Sequence, residues 1–121
     1  MTNSSIPIEL PPFDTGEYER CELSMANGDA ELTLHVFGMP PICIKFTRVR
    51  WHRYTALYAC DSDWISGFYF KVAEVPNSKE LAAHLKADKS STKAYAHLHH
   101  FRIFIDETGC HEFLAETARM L

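Results

Sequence analysis

The sequence lacks most of the short motifs that mark enzymes. It has no Gly-x-Ser-x-Gly segment, and its five glycines are too scattered to form a phosphate-binding loop. Its four cysteines, Cys21, Cys43, Cys60 and Cys110, include no Cys-x-x-Cys pair of the kind that binds zinc. Cys110 and His111 are neighbours on a predicted strand, so their side chains point to opposite faces and cannot form a thiolate pair. We therefore expect no cofactor, and the sequence favours a non-enzymatic protein without deciding the point.

Three further absences narrow the class of protein. The net charge of -4 argues against nucleic-acid binding, which needs a basic surface. No apolar run approaches the roughly 20 residues that span a bilayer, so no membrane association is expected. The opening residues, MTNSSIPIEL, lack the basic and apolar regions of a secretory signal. We expect a cytoplasmic protein with reduced thiols, and its 121 residues predict a single domain, 1–121.

The clearest structural pattern is a hairpin near the C-terminus, HHFRIFIDETGCHEFLAET from His99. Two β-compatible runs flank the turn residues 106–109, where Asp and Gly favour a tight turn. The predicted register pairs Ile105 with His111, Ile103 with Phe113, and Phe101 with Ala115. Because side chains alternate along a strand, these residues share one face, which we expect to be buried. The ionisable residues His100, Arg102, Glu112 and Glu116 fall on the other face, where His100 is expected to lie opposite Glu116.

The rest of the chain reads mainly as antiparallel strands. Asn27-Gly28-Asp29 predicts a hairpin between residues 17–25 and 30–37. A change of hydrophobic phase near Thr47-Arg48 predicts a bulge or turn within a β-rich segment, 42–59. The remaining predictions are an extended, loosely ordered segment over 1–16, a strand over 64–75, a helix over 78–87 and a polar loop over 88–92. The sum is an α+β domain of about six antiparallel strands with one short helix before the last two.

A basic and aromatic segment is the first candidate binding site. The run KFTRVRWHR, Lys45 to Arg53, carries four basic residues and no acid, whereas the 44 residues before it carry seven acids and one base. Arginine beside tryptophan and tyrosine is a composition typical of interface hot spots. The predicted partner-binding residues are Arg48, Arg50, Trp51, Arg53 and Tyr54. The alternative is that these arginines pair with the acidic N-terminal hairpin while Trp51 fills the core.

Histidine supplies the second candidate site. Four of the seven histidines lie in or beside the C-terminal hairpin. His97, His99 and His100, together with Glu116, are candidates for metal binding or acid–base chemistry. The alternative is that they are polar strand residues whose hydrogen bonds are satisfied by neighbours.

Several stretches resemble small uncharacterised bacterial domains of toxin–immunity loci. The matching segments are ICIKFTRVRWHRY, EVPNS and HFRIFIDETGCHEFLA, which together span much of residues 42–116. The resemblance implies a non-enzymatic protein that binds a partner protein, but it transfers no functional residue. The expected function is a cytoplasmic protein-binding module, immunity-like, that acts by surface complementarity. The alternative is a small enzyme, or a ligand- or metal-binding protein, that uses the histidine-rich hairpin. An exposed sheet edge would also allow a homodimer.

Overall fold

The computed structural model of the protein describes residues 7–87 and 97–121. Residues 1–6 of the predicted N-terminal segment and the predicted loop 88–92 lie outside this range. The described strands are β1 (Ile8–Glu9), β2 (Tyr18–Ala26), β3 (Asp29–Val36), β4 (Ile42–Thr47), β5 (Trp51–Ala56), β6 (Lys71–Glu74), β7 (His99–Ile105), β8 (Gly109–Ala115) and β9 (Thr117–Met120). The helices are α1 (Ser62–Phe68) and α2 (Lys79–Ala87). Short 3-10 turns occupy Thr15–Glu17 and Leu57–Ala59.

The strands form two sheets that share two chain segments. One sheet has the order β1-β6-β7-β8-β5 and the other has the order β2-β3-β4-β9. The segments β4–β5 and β8–β9 pair with each other and pass together from one sheet into the other. Thr47 pairs with Thr117 and Trp51 with Leu114, so one segment has an extra residue at the corner. Arg48 takes up the bend with a φ of 52°. Bulged corners of this kind let strands change sheets.

The main apolar core lies between the two sheets. Leu32, Leu34, Ile44 and Phe46 from the four-stranded sheet have no exposed surface. Phe46 stacks on Phe113 of the five-stranded sheet, with ring centroids 4.0 Å apart. In β3 and β4 every second residue therefore points into this core, which explains the alternation of apolar and polar residues in their sequences.

The α+β, mainly antiparallel class is confirmed, but the strand count of about six was too low. Nine strands and two helices occur among the described residues. Part of the difference comes from the segment 42–59, which divides into β4 and β5 at the sheet corner. The very short β1 and the C-terminal β9 add two strands too brief for an alternation to be recognised.

The predicted N-terminal hairpin is confirmed. Asn27 and Gly28 form its two-residue turn, with φ values of 56° and 83°. Both residue types tolerate positive φ, which is why Asn-Gly favours this turn.

The strand predicted over 64–75 was wrong in its first half. Residues Ser62–Phe68 form α1, and only Lys71–Glu74 are a strand. Trp64 and Phe68 are four residues apart and share one helical face. The Asp-Ser-Asp sequence before Trp64 is a typical helix start, and it is the signal that could have revealed α1.

The predicted helix over 78–87 is confirmed as α2, Lys79–Ala87. Its cap is Ser78, whose Oγ accepts the backbone N–H of Leu81 at 2.9 Å. This is the bond that an N-terminal cap makes to the third helical residue.

The C-terminal hairpin is confirmed, but its predicted register was wrong by two residues. Phe101 pairs with Phe113 and Ile103 with His111, while His100 faces Leu114 rather than Glu116. A shift of two keeps every side chain on its predicted face. The larger difference concerns the face that carries His100, Arg102 and Glu112. This face is also buried, because helices α1 and α2 cover it.

Candidate functional site

The outer face of the C-terminal hairpin holds a buried set of charged side chains. Glu112 has no exposed surface, and His100 and Arg102 are 3% and 7% exposed. Arg53, directly opposite Glu112 on β5, completes the group and keeps 41% of its side chain exposed. We call Arg53, His100, Arg102 and Glu112 the polar cluster.

Glu112 is the centre of the polar cluster. Its Oε1 accepts from His100 Nε2 at 2.8 Å and from Arg102 Nη2 at 3.0 Å. Its Oε2 accepts from Arg53 Nε at 3.1 Å and Nη2 at 2.9 Å. Burial alone would raise the pKa of Glu112, but these hydrogen bonds and positive charges outweigh it and lower the pKa to about 2. The carboxylate is therefore ionised at neutral pH.

Aromatic rings cover the two arginines. The Arg102 guanidinium lies 4.4 Å from the Trp64 ring centre and 4.9 Å from that of Phe68. The Arg53 guanidinium lies 5.3 Å from the ring centre of Trp51 and 5.8 Å from that of Trp64. Arg102 Nε is buried and has no hydrogen-bond partner among the described residues. Burying a donor without a partner is unfavourable, and the cation–π contact with Trp64 offsets part of this unfavourable free energy.

His100 joins the polar cluster to the start of helix α2. Ser78 Oγ lies 2.5 Å from His100 Nδ1. Because the ionised Glu112 can only accept, His100 Nε2 carries the proton that it donates there. In a neutral His100, Nδ1 must then accept, so Ser78 donates its hydroxyl proton. In that state the hydrogen bonds run in one direction, from Ser78 through His100 to Glu112.

The predicted partner-binding residues lie along the corner and strand β5, but on different sides of the sheet. Trp51 and Arg53 belong to the outer face, where Trp51 is half-buried and its ring lies edge-on to His100 at 5.7 Å. Tyr54 points to the opposite face, is 49% exposed, and donates its hydroxyl to Thr108 O at 2.6 Å. Arg48 and Arg50 are exposed at the corner before β5.

The corner forms a concave surface pocket of about 480 Å³. Arg48 and Arg50 line it, together with Thr47 and the turn of the N-terminal hairpin. Arg48 Nε lies 3.6 Å from Glu116 Oε1, and its backbone N–H donates to Asp29 Oδ1 at 3.1 Å. The side chains of Arg48 and Arg53 therefore pair with Glu116 and Glu112 rather than with the acidic N-terminal hairpin, which Arg48 contacts through its backbone N–H.

The four residues of the histidine site do not converge. His97 is exposed, His99 pairs through Nδ1 with Glu74, His100 binds Glu112, and Glu116 lies beside Arg48. Across residues 7–87 and 97–121, no group of three or more side chains is placed to hold a metal ion.

A partly buried histidine pair that the sequence did not indicate lies on the inner face. His52 Nε2 and His111 Nδ1 are 3.0 Å apart, and the two rings stack. Two causes lower the pKa of His111 to about 4: burial, which is the larger, and the charge of the nearby His52. Only the strand pairing of β5 with β8 brings these residues together, so no local signal could have found them.

The chain matches no protein-family model, and comparisons with curated proteins and solved structures found no match. No helix within the described ranges is both long and apolar enough to cross a bilayer. The resemblance to immunity-type domains stays a prediction.

Proposed function

We propose that this protein is a non-enzymatic, immunity-like binding module that holds an acidic, extended segment of a partner protein along strand β5. One observation carries the proposal. The predicted arginine and aromatic residues belong to the outermost strand of the five-stranded sheet and to the corner that leads into it. Among the described residues, β5 pairs with β8 alone, so its other edge is available to an added strand.

The side chains along this edge support a charged partner. Arg53 keeps 41% of its side chain exposed although it holds Glu112. Its position between the rings of Trp51 and Trp64 restricts its motion, so binding through it would lose little conformational freedom. Tyr58, just beyond β5, is 99% exposed. Arginine and tyrosine are residues that contribute strongly to interface energies.

The corner pocket would take an acidic side chain of the same partner. Arg48 and Arg50 line it at the start of β5. Arginine recognises carboxylates through two parallel hydrogen bonds. Attraction between these arginines and an acidic segment would weaken as salt is added, so the association rate should fall.

Site-specific photo-crosslinking tests the proposal. A photoreactive amino acid at Tyr58 should capture a partner protein in the native host, whereas the same group at Phe37 should not, although Phe37 is 68% exposed. The captured protein is then purified and titrated against variants. Arg50→Glu should weaken its affinity at least tenfold, and Arg119→Glu, an exposed change on β9, should leave it unchanged.

Two results would contradict the proposal. One is equal capture from Tyr58 and Phe37. The other is equal affinity for the Arg50→Glu and Arg119→Glu variants, measured on proteins with the same thermal midpoint as the unmodified chain.

A second candidate function rests on the chain of Ser78, His100 and Glu112. A hydroxyl that donates to an imidazole, which in turn donates to a carboxylate, is the pattern of an activated serine nucleophile. Ser78 is half-buried at the start of α2, where first-turn backbone N–H groups could receive a developing oxyanion. The reaction would be acyl transfer: Ser78 Oγ attacks an ester carbonyl, His100 Nδ1 takes the proton and returns it to the leaving alcohol, and water then releases the acid.

A fluorophosphonate probe separates this candidate from the first. It should label Ser78 and leave the exposed Ser66 of α1 unlabelled, as read by peptide mass spectrometry. Ser78→Asn keeps a good helix cap and should abolish labelling. Labelling of neither serine, or of both equally, would eliminate the acyl-transfer function.

A further inference from the structure

Strand β2 presents a long open edge that the proposed function does not use. Its nine residues, Tyr18–Ala26, make it the longest described strand. It is the outermost strand of the four-stranded sheet, and of the described residues only those of β3 form a ladder with it. An open edge carries a row of backbone N–H and C=O groups that can pair with another strand.

The turn of the hairpin determines which residues direct these groups outward. Asn27 and Gly28 form a two-residue turn, so Ala26 and Asp29 form the hydrogen-bonded pair that closes it. Pairs alternate along an antiparallel ladder, and therefore Cys21, Leu23 and Met25 direct their backbone groups to the open edge.

The regular part of β2 has a defined centre. The register with β3 is uninterrupted from Arg20 to Ala26 and is broken by a bulge between Tyr18 and Arg20. The midpoint of this regular stretch is Leu23. It is also a residue with outward backbone groups, as a two-fold axis through a hydrogen-bonded pair requires.

The side chains of β2 form two distinct rows. On the inner row, Cys21 and Leu23 are partly buried against the core, while Met25 is 50% exposed. On the outer row, Arg20, Glu22 and Ser24 are exposed. The exposed Met25 leaves an apolar surface at the end of the strand nearest the turn.

We infer that a second copy of this chain adds to β2 by antiparallel pairing about a two-fold axis at Leu23, giving one continuous eight-stranded sheet. Leu23 then faces the partner's Leu23, and Met25 is covered by the partner's Cys21. On the outer row, Glu22 faces the partner's Ser24, so no like charges are placed opposite each other.

The alternative axis at Cys21 is less favourable. It would extend the ladder into the bulge before Arg20 and leave Met25 without a facing residue. A shift by a single residue is excluded more strongly, because it would place the inner apolar row beside the outer charged row. The interface is isologous, so it closes at a dimer and does not propagate.

Disulfide trapping tests the register. In the Met25→Cys variant the new thiol would lie opposite the partner's Cys21, at a separation that a disulfide spans. Mild oxidation should give a reducible dimer with the bond mapped to Cys21 by peptide mass spectrometry. Ser24→Cys is the matched control, because its thiol points to the other face and should not link to Cys21.

Mass in solution tests the pairing itself. By sedimentation the unmodified chain should have twice the 13.9 kDa of one copy. Met25→Pro removes an outward N–H and no bond to β3, so its mass should fall twofold with the circular dichroism spectrum retained. Met25→Leu keeps the N–H and the apolar side chain and should stay dimeric. A monomeric unmodified chain, a dimeric Met25→Pro variant, or trapping at a cysteine other than Cys21 would overturn the inference.

Discussion

The two hairpins of the molecule show the same alternation in sequence but differ in what surrounds them. In the N-terminal hairpin only the inner face packs against the core, and the outer residues of β2 meet solvent. In the C-terminal hairpin every residue from 100 to 105 and from 109 to 115 is buried. The opposite sheet covers its inner face, and α1 and α2 cover its outer face. Alternation thus tells which residues share a face, but not whether a second layer covers the face.

The largest difference in stability between the two hairpins should appear when one glutamate in each is replaced by alanine. Glu112→Ala leaves Arg102 buried without its carboxylate, and breaking a buried ion pair from one side costs about 3–5 kcal/mol. Glu22→Ala removes an exposed carboxylate from the N-terminal hairpin and should leave the urea midpoint unchanged. Urea unfolding of both variants gives the comparison. A loss below about 1 kcal/mol for Glu112→Ala would show that the polar cluster is dispensable.

Acid should weaken the C-terminal hairpin through His111. Its pKa in the folded protein is about 4, below the usual 6.5, so the unfolded chain binds a proton first as the pH falls. Stability is therefore highest above pH 6.5 and should decrease by about 3 kcal/mol between pH 6.5 and pH 4. The lowered pKa of His52 acts in the same direction. Below pH 4.5 the protonation of Glu112 adds a further loss, since its folded pKa is about 2.

Urea unfolding across this pH range checks the assignment to His111. His111→Phe keeps an aromatic ring but removes the titration, so most of the loss between pH 6.5 and pH 4 should disappear. An unchanged pH dependence in that variant would assign the loss to other groups.

The turn glycines give the third comparison. Gly109 has a φ of 131°, and an added Cβ would lie 2.2 Å from Thr55 O. Gly109→Ala should therefore cost about 2–3 kcal/mol from backbone strain and from displacement of β5. Gly28 has a φ of 83° with open space around it, so Gly28→Ala should cost about 1 kcal/mol. Thermal and urea unfolding would contradict this ranking if the two losses were equal.

A small effect is expected at the cap of α2, the helix that covers part of the C-terminal hairpin. Ser78→Ala removes the hydrogen bond to Leu81 and should cost about 1 kcal/mol. Ser78→Asn should stay close to the unmodified chain, because asparagine caps equally well. If both variants were equally destabilised, the contact with His100, rather than the cap, would be the source of the stability.

The sequence predicted the features that local chemistry determines. The Asn27-Gly28 turn, the break near Thr47-Arg48 and the helix over 78–87 each depend on neighbouring residues alone. The hairpin register failed by two residues, because both registers bury the same face and the turn residues permit either. The polar cluster could not be predicted from the sequence, since it requires α1 to lie over Arg102 and β5 to lie beside Glu112. These are contacts between segments about 40 to 60 residues apart, for which a single sequence carries no periodic signal.

The bent pair of segments that runs through both sheets has a consequence for how the chain unfolds. Because β4–β5 and β8–β9 each supply strands to both sheets, the two ladders meet at the corner, where the N–H of Glu116 donates to Thr47 O and that of Arg50 donates to Leu114 O. The slowest-exchanging backbone amides should therefore belong to both sheets and share one opening free energy, as members of a single cooperative unit.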